Sequence, residues 1–594
     1  MGDDGRTAPD LNDRRIAAGA GGLLEELNLA GVLTAADVHV ATRLATLGKE
    51  EDERVILAAA LTVAAVRAGS VCLELDTVRE PGWPDPDEWR SAVDASPLLR
   101  EGVLHRDEGA LYLDRYWRQE TQVVEDLTGR SAAPPPSPDE AVLAQALWSY
   151  FPDDGYADQR AAAETACKHW TTVVTGGPGT GKTTTVARLI GVLMALHADG
   201  PPLRIALAAP TGKAAARMAQ AVREATLQPG FPGADGAAGD PDHERRAVIQ
   251  GLEATTLHRL LGTRPDNRTR FRHHRGNRLP HDVVIVDETS MVSLTMMARL
   301  LEAVRPEAPL VLVGDADQLA SVDAGAVLKD LVDGYGGGST PSGPVTRLGP
   351  TRRFGERIGA LAAAVRDGDA ETALAVLRDG GEEVVWLEEE KLPALLGRHA
   401  LALHTAADSG DTGAALRALE RHRLLCAHRE GPHGVAWWNR QVERLLMAAT
   451  GRDWLPEWYV GQPLIVNSND YGLGLFNGDT GVVCRDDLSS GGRVGVIDDG
   501  QGTGGRRLPT TRLADVSTAH AMTVHRSQGS QFDEVTVLLP EADSRILTRE
   551  LFYTAVTRAR SVVRVVGGED AVRAAVTRRA RRATGLARRL GPTG

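Results

Sequence analysis

The sequence predicts an α/β protein: two parallel-sheet domains, a mostly helical region ahead of them, and a small β-barrel inserted in the second. Three observations carry this. Short apolar strands alternate with helices from about residue 155, a helical pattern precedes them, and a proline run divides the two regimes. At 594 residues the chain exceeds a single core and calls for about three to five domains.

Composition narrows the class. With 42% hydrophobic and 25% charged residues, the chain reads as an ordinary globular protein. A net charge of −13 argues against coating a polyanion by bulk charge, and leaves room for a narrow basic channel or an acidic face turned to another protein. Cys72, Cys167, Cys426 and Cys484 lie far apart with no CxxC pair, which argues against a zinc site or disulfide framework. No apolar signal core or membrane-spanning run is present, so the expected location is the cytoplasm.

In chain order, residues 1–135 form the first expected unit. Leu23 to Leu29 and Val55 to Leu61 show helical three-to-four spacing, and Ser70 to Leu75 is a short strand-like break. No catalytic cluster lies here, so a docking role is expected. Ser131 to Pro138 reads as an extended linker, because successive prolines exclude helix.

Residues 136–343 form the second unit. Its strands are Thr172 to Val174, Arg204 to Ala208, Val283 to Val286 and Leu310 to Val313, with functional residues expected just past their C-terminal ends. Pro229 to Asp242 reads as a disordered surface loop. Arg264 to Arg278 is dense in Arg and His around Phe271, and Tyr335 to Gly343 reads as a flexible connector. Residues 344–594 form the third unit. Short β segments and turns mark the insertion near 454–511, and Ala571 to Leu590 reads as a basic C-terminal helix.

The chemistry starts at Gly176 to Thr184. An apolar strand runs into Gly176-Gly177-Pro178-Gly179-Thr180-Gly181-Lys182-Thr183-Thr184, a full G-x-x-x-x-G-K-[ST] phosphate loop opening a helix. The glycines let backbone N–H groups surround phosphate oxygens, Lys182 neutralises the β/γ-phosphates, and the Thr183 hydroxyl suits Mg²⁺. A nucleoside triphosphate with Mg²⁺ is expected at this loop. Val284 to Val286 then ends in Asp287-Glu288, suiting one carboxylate near the metal and another that aligns or deprotonates water. After Leu312-Val313, Gln318 can sense the γ-phosphate through an amide that both donates and accepts.

Gly176–Thr183, Asp287-Glu288-Thr289-Ser290 and Gly314-Asp315-Ala316-Asp317-Gln318 together resemble motifs I, II and III of superfamily 1 helicases. Further segments resemble the remaining motifs in order. Gln159 resembles the glutamine that recognises adenine, Ala209-Pro210-Thr211-Gly212-Lys213 resembles motif Ia, and Thr255-Thr256-Leu257-His258 the next DNA-contacting motif. Arg353 resembles motif IV, Thr523-Val524-His525-Arg526-Ser527-Gln528 motif V, and Phe552 to Ala559, with Arg558, motif VI. The Thr-Leu-His-Arg-Leu-Leu-Gly wording, Arg429 to Val435 and Leu475 to Gly481 are similar to the RecD family, the alpha subunits of RecBCD exodeoxyribonuclease V complexes.

The resemblance implies two RecA-like P-loop NTPase domains, 1A and 2A, with an SH3-like β-barrel in 2A. It implies a 5′–3′ single-stranded DNA translocase and helicase acting in double-strand break repair, with RecB-like and RecC-like subunits as partners. It gives Arg353 and Arg558 as arginine fingers. Thr211, Lys213, Thr256, His258, Thr523, His525, Ser527 and Gln528 become the DNA-contacting set. The Arg264–Arg278 segment falls where this branch carries a strand-separating hairpin. Two departures stand out: Thr289 replaces the usual Ala, and Gln531 stands where relatives often place Glu. A stand-alone helicase of the same branch, and a docking subunit with a secondary motor, are the other readings. No nuclease constellation is present outside the nucleotide motifs, so nuclease activity is expected in a partner.

Overall fold

The protein is known as a computed structural model. It describes residues 16–17, 20–77, 83–234, 236, 239–264, 267–336, 343–349, 355–470, 472–486, 492–498 and 504–591. Two parallel sheets dominate. The first has the spatial order Val345–Arg347, Thr171–Thr175, Leu310–Gly314, Val283–Val286, Ile205–Ala209, Ala254–Thr256, with every neighbouring pair parallel. Its strands are apolar on both faces because helices cover both. Val284 and Val286 enter one core, while Val283 and Ile285 enter the other, as a two-residue period requires.

The second sheet, also all parallel, runs Val384–Trp386, Ala559–Val566, Phe532–Leu538, His422–Cys426, Ala521–Thr523. Between its strands the chain makes an antiparallel five-stranded sheet: Arg506–Pro509, Gly492–Ile497, Thr480–Asp486, Pro463–Val466, Val516–Thr518. This is the expected insertion; among the described residues its edge strands Arg506–Pro509 and Val516–Thr518 do not pair with each other.

The helical region ahead of the proline run packs directly on the first sheet. The helix Asp114–Ala132 before the prolines lays Val123 and Leu127 into the same core as Val173. Arg130, 6% exposed, locks its last turn by donating to Thr171 Oγ1 at 2.8 Å, the Arg305 carbonyl at 2.9 Å and the Ala308 carbonyl at 2.6 Å. The linker itself is held there as well, Trp170 Nε1 donating to the Pro134 carbonyl at 2.7 Å. The stretch Pro229 to Asp242 is anchored by Phe231, whose buried ring meets Tyr150 edge-on at 5.6 Å, and Asp240 caps the helix Pro241–Gly251.

The C-terminal region is not one helix. Glu569–Thr577 ends on the second sheet, and the chain then crosses to the first body, where the short helix Leu586–Leu590 packs beside Val327–Gly334. Arg578 is held within the second body, and Arg582, Arg588 and Arg589 bond outside it. Arg578 donates to the Ala542 carbonyl at 2.9 Å, Arg582 to the Ser321 carbonyl, Arg588 to Asp107 at 2.8 Å and Arg589 to Thr121 at 3.0 Å. No helix among the described residues is long and apolar enough to cross a membrane.

Candidate functional site: the cleft between the two parallel sheets

Three adjacent strands of the first sheet deliver polar groups to one cleft of about 270 Å³. Thr171–Thr175 leads into the phosphate loop, where Gly179 (φ +82°) and Gly181 (φ +90°) take backbone that only glycine adopts without strain. Lys182 opens the helix and donates through Nζ to the Gly176 carbonyl at 2.7 Å and the Gly177 carbonyl at 2.9 Å. Thr180 Oγ1 closes the turn onto the Gly177 carbonyl at 2.9 Å. Gln159, 8% exposed, lies under the loop with Oε1 buried and unpartnered, and a Cβ on Gly181 would come within 2.5 Å of its Nε2. Thr183 and Thr184 line the cleft beside Pro178.

Val283–Val286 ends in Asp287, whose Oδ1 accepts from the Glu288 N–H at 2.8 Å. Burial, with the Glu288 carboxylate beside it, pushes the Asp287 acid upward; Lys182 and Arg217 oppose this. Glu288 itself sits at φ +50°, a left-handed conformation costing a non-glycine residue on the order of 1–3 kcal/mol. That turn carries its carboxylate out of the strand line and into the cleft. Thr289 is buried with its hydroxyl on the Val286 carbonyl at 3.1 Å, a polar group the departure from Ala accommodates locally. Leu310–Gly314 ends in Asp315, which accepts from Gln318 Nε2 at 2.9 Å and from the Tyr553 hydroxyl at 3.1 Å.

The opposite wall comes from the second sheet. Arg558, 2% exposed, faces Lys182, Asp287 and Glu288 across the cleft. Its guanidinium is posed by the Thr554 carbonyl at 3.0 Å and the Ser530 carbonyl at 3.3 Å. Burial lowers its pKa, against the pull of Glu288 and Asp315. The loop after Gln318 is gripped from the same side: Leu319 N–H donates to Thr554 Oγ1 at 2.8 Å, and Gln528 Nε2 to the Leu319 carbonyl at 2.7 Å.

Two groups escaped the sequence reading. Arg217 spans the cleft, donating to the Gly529 carbonyl at 2.8 Å and to Gln531 Oε1 at 3.1 Å. Its signal was its place four residues after Lys213, on the same face of Gly212–Thr226. Tyr553, within the last motif, reaches both Asp315 and the phosphate loop, where a Cβ on Gly177 would lie 3.1 Å from its hydroxyl.

The expected DNA-contacting residues divide. Thr211 and Thr256 cap helices through Ala214 N–H and Arg259 N–H, both at 3.2 Å, and Thr523 accepts from Arg526 N–H at 3.3 Å. Ser527 and Gln528 are buried, with Ser527 Oγ donating to the Val524 carbonyl at 2.7 Å and Gln528 tied to Leu319 as above. Lys213 meets Thr480 of the inserted sheet at 3.2 Å, and burial lowers its pKa to about 8. His258 packs edge-on to Phe271 at 5.9 Å, and burial beside Arg582 and Arg429 lowers the pKa of His525. The segment around 264–278 does begin as a hairpin, Thr263–Arg264 against Asn267–Phe271, but Phe271 is a core residue rather than a displayed ring. Arg353 lies outside the described residues.

Phosphate loop, paired carboxylates and a second-domain arginine in one cleft define a P-loop nucleotide hydrolase built from two facing α/β domains. The family comparisons agree and go further. The AAA domain model matches residues 159–324, the UvrD-like helicase C-terminal domain 518–566, and the N-terminal domain of RecBCD enzyme subunit RecD 29–112. The chain is 55% identical to "RecBCD enzyme subunit RecD" of Mycolicibacterium smegmatis over 95% of this chain and 99% of that protein. It is 53% identical to the protein of the same name in Mycobacterium tuberculosis, over 98% and 99%. The "ATP-dependent RecD2 DNA helicase" of Deinococcus radiodurans is 30% identical over 88% of this chain and 64% of that protein. The chain belongs to the RecD family.

Proposed function

We propose that this chain is an ATP-dependent 5′–3′ translocase and helicase on single-stranded DNA, acting as the RecD subunit of a RecBCD-type helicase–nuclease in double-strand break repair. One observation carries the reading: Arg558 of the second domain lines the same cleft as Lys182, Asp287 and Glu288 of the first. A cleft whose catalytic charges sit on two bodies couples hydrolysis to their relative movement.

The residues fit ATP and Mg²⁺. The left-handed glycines leave amides free to turn inward, Gln159 offers a buried unpartnered Oε1 for an adenine amine, and Thr183 with Asp287 supplies oxygen donors for the metal. Bound ATP·Mg²⁺ supplies the electrophilic γ-phosphoryl group. Lys182 releases its loop carbonyls to meet phosphate oxygens, and Glu288 orients and deprotonates water. Gln318 reports on the γ-phosphate through Asp315, while Arg558 neutralises developing charge. Arg353 is proposed for the same task. Thr211, Lys213, Thr256, His258, Thr523 and His525 are proposed to follow the strand across both domains. RecB-like and RecC-like chains are the proposed partners.

ATPase measurements with and without single-stranded DNA test this. DNA should raise the rate, and Lys182→Ala should lower it by about a hundredfold or more. A DNA-independent rate, or a Lys182→Ala protein of native activity, would overturn the reading.

A further inference from the structure

We propose that the seam behind the nucleotide cleft is a second binding site, one for a small aliphatic organic cation such as a linear diamine. A cavity of about 270 Å³ lies there, walled by the loop after Asp315, the helix Val327–Gly334, Glu550 and the crossing tail Ala580 to Thr584. Five acidic side chains, Asp330, Asp333 and Glu550 with Glu74 and Asp315, share the lining with two cations, Lys329 and Arg582. Neither cation neutralises Asp330. Lys329 approaches Glu550 at 3.8 Å, and Arg582 is turned onto the carbonyls of Ser321, Asp323 and Gly325.

Two atoms point to a missing ligand. Asp330 Oδ2 and Ser290 Oγ are buried without a hydrogen-bond partner, in side chains only 7% and 6% exposed, and both residues line this cavity. A buried polar oxygen left without a partner costs free energy that a bound donor recovers. The chemistry selects among cations. No three His, Cys, Asp or Glu side chains among the described residues come together to hold a metal ion. Ala316, Leu319 and Leu328 give the cavity apolar walls between its acids, which suits a short alkyl chain ending in ammonium groups.

The electrostatics supply a signature. Burial pushes Asp330 up to about 8; a hydrogen bond between Thr584 and its carboxyl and the charge on Lys329 oppose the shift, and Glu120 and Asp333 add to it. Glu550 and Arg582 face the same space from the other two elements. An ammonium group beside Asp330 favours its ionised form, so binding displaces a proton and tightens as pH rises toward 8.

Calorimetric titration of the full chain with 1,4-diaminobutane tests the site, with 1,4-butanediol as the uncharged isostere at matched ionic strength. The diamine should bind and the diol should not. Affinity should rise about fivefold between about pH 7 and about pH 8, as the ionised fraction of Asp330 grows. Asp330→Asn should weaken binding tenfold or more and flatten that pH dependence. Ala583→Leu, which fills the cavity and keeps Asp330, should weaken it as well; this second variant decides if Asp330→Asn fails to fold. No binding to the native chain, equal binding of the diol, or native affinity in either folded variant would overturn the site.

Discussion

The two walls of the nucleotide cleft are built on opposite principles. On the first, charge is left unbalanced: Asp287 is forced upward in pKa beside Glu288, Glu288 holds a left-handed backbone, and Gln159 keeps an orphan oxygen. On the second, each group named is already satisfied. Arg558 rests on the Thr554 and Ser530 carbonyls, Ser527 on that of Val524, and Gln528 on that of Leu319. The first wall stores free energy that a bound nucleotide and metal can release. The second is a finished scaffold whose value lies in being carried to the first. Strain therefore marks where ligand binds, and saturation marks what must move as a unit.

The sharpest way to break this comparison is to remove charge from the finished wall without unfolding it. Arg558→Ala should lower the DNA-stimulated ATPase rate about a thousandfold or more while leaving the KM for ATP nearly unchanged, as a group acting mainly in the transition state requires. Arg558→Lys should not restore it, because one ammonium cannot hold both carbonyls and still reach the cleft. A variant that keeps its rate but loses ATP affinity would make Arg558 a ground-state binding residue and blur the distinction between the walls.

A smaller effect is expected where the saturated wall grips the other. Gln528→Ala leaves the buried Leu319 carbonyl without its 2.7 Å donor. An unsatisfied buried acceptor costs about 1–3 kcal/mol. A domain of this size then loses roughly 2–4 °C of thermal midpoint per kcal/mol. Because Leu319 follows Gln318, ATP binding should weaken in the same protein. An unchanged midpoint would mean that Gln528 is free to contact DNA, as its motif suggested, and that the second wall is looser than its hydrogen bonds imply.

What the sequence disclosed follows the same division. Lys182, Asp287 and Gln318 were legible because each follows an apolar strand of the same sheet, and strand ends fix where a side chain goes. Groups held by long-range contact were not. Arg217 shares a helix face with Lys213, but its partners lie more than three hundred positions away, so the local pattern placed it without showing what it holds. Ser527 and Gln528 read as strand-binding polar residues, and only the fold shows that their donors are consumed by backbone. The tail misled most. Its arginine density looks like a solvated or phosphate-seeking helix, yet the chain turns away at Arg578, and Arg582, Arg588 and Arg589 bond across to the first body and the region ahead of it. Local periodicity cannot report a crossing whose partners lie in the N-terminal helix.

The smallest effect expected is also the one that tests stored strain most directly. A carboxylic acid with a folded pKa above its ordinary value of 3.8 holds its proton more tightly in the folded state. The stability it contributes is full below that ordinary value and is lost as pH rises through the raised one. Without nucleotide, the ionised Asp287 therefore weakens the fold near neutrality. Asp287→Asn removes the charge and keeps the shape, so its thermal midpoint should exceed that of the native chain at about pH 7 by a few degrees, roughly the effect of 1 kcal/mol. At about pH 4 the two midpoints should converge, because the native acid is then protonated when folded. The difference between the two proteins reports Asp287 together with the Glu288 carboxylate that interacts with it. If the native chain is the more stable at neutral pH, Lys182 and Arg217 already neutralise Asp287, and the first wall holds no unbalanced charge for a metal to relieve.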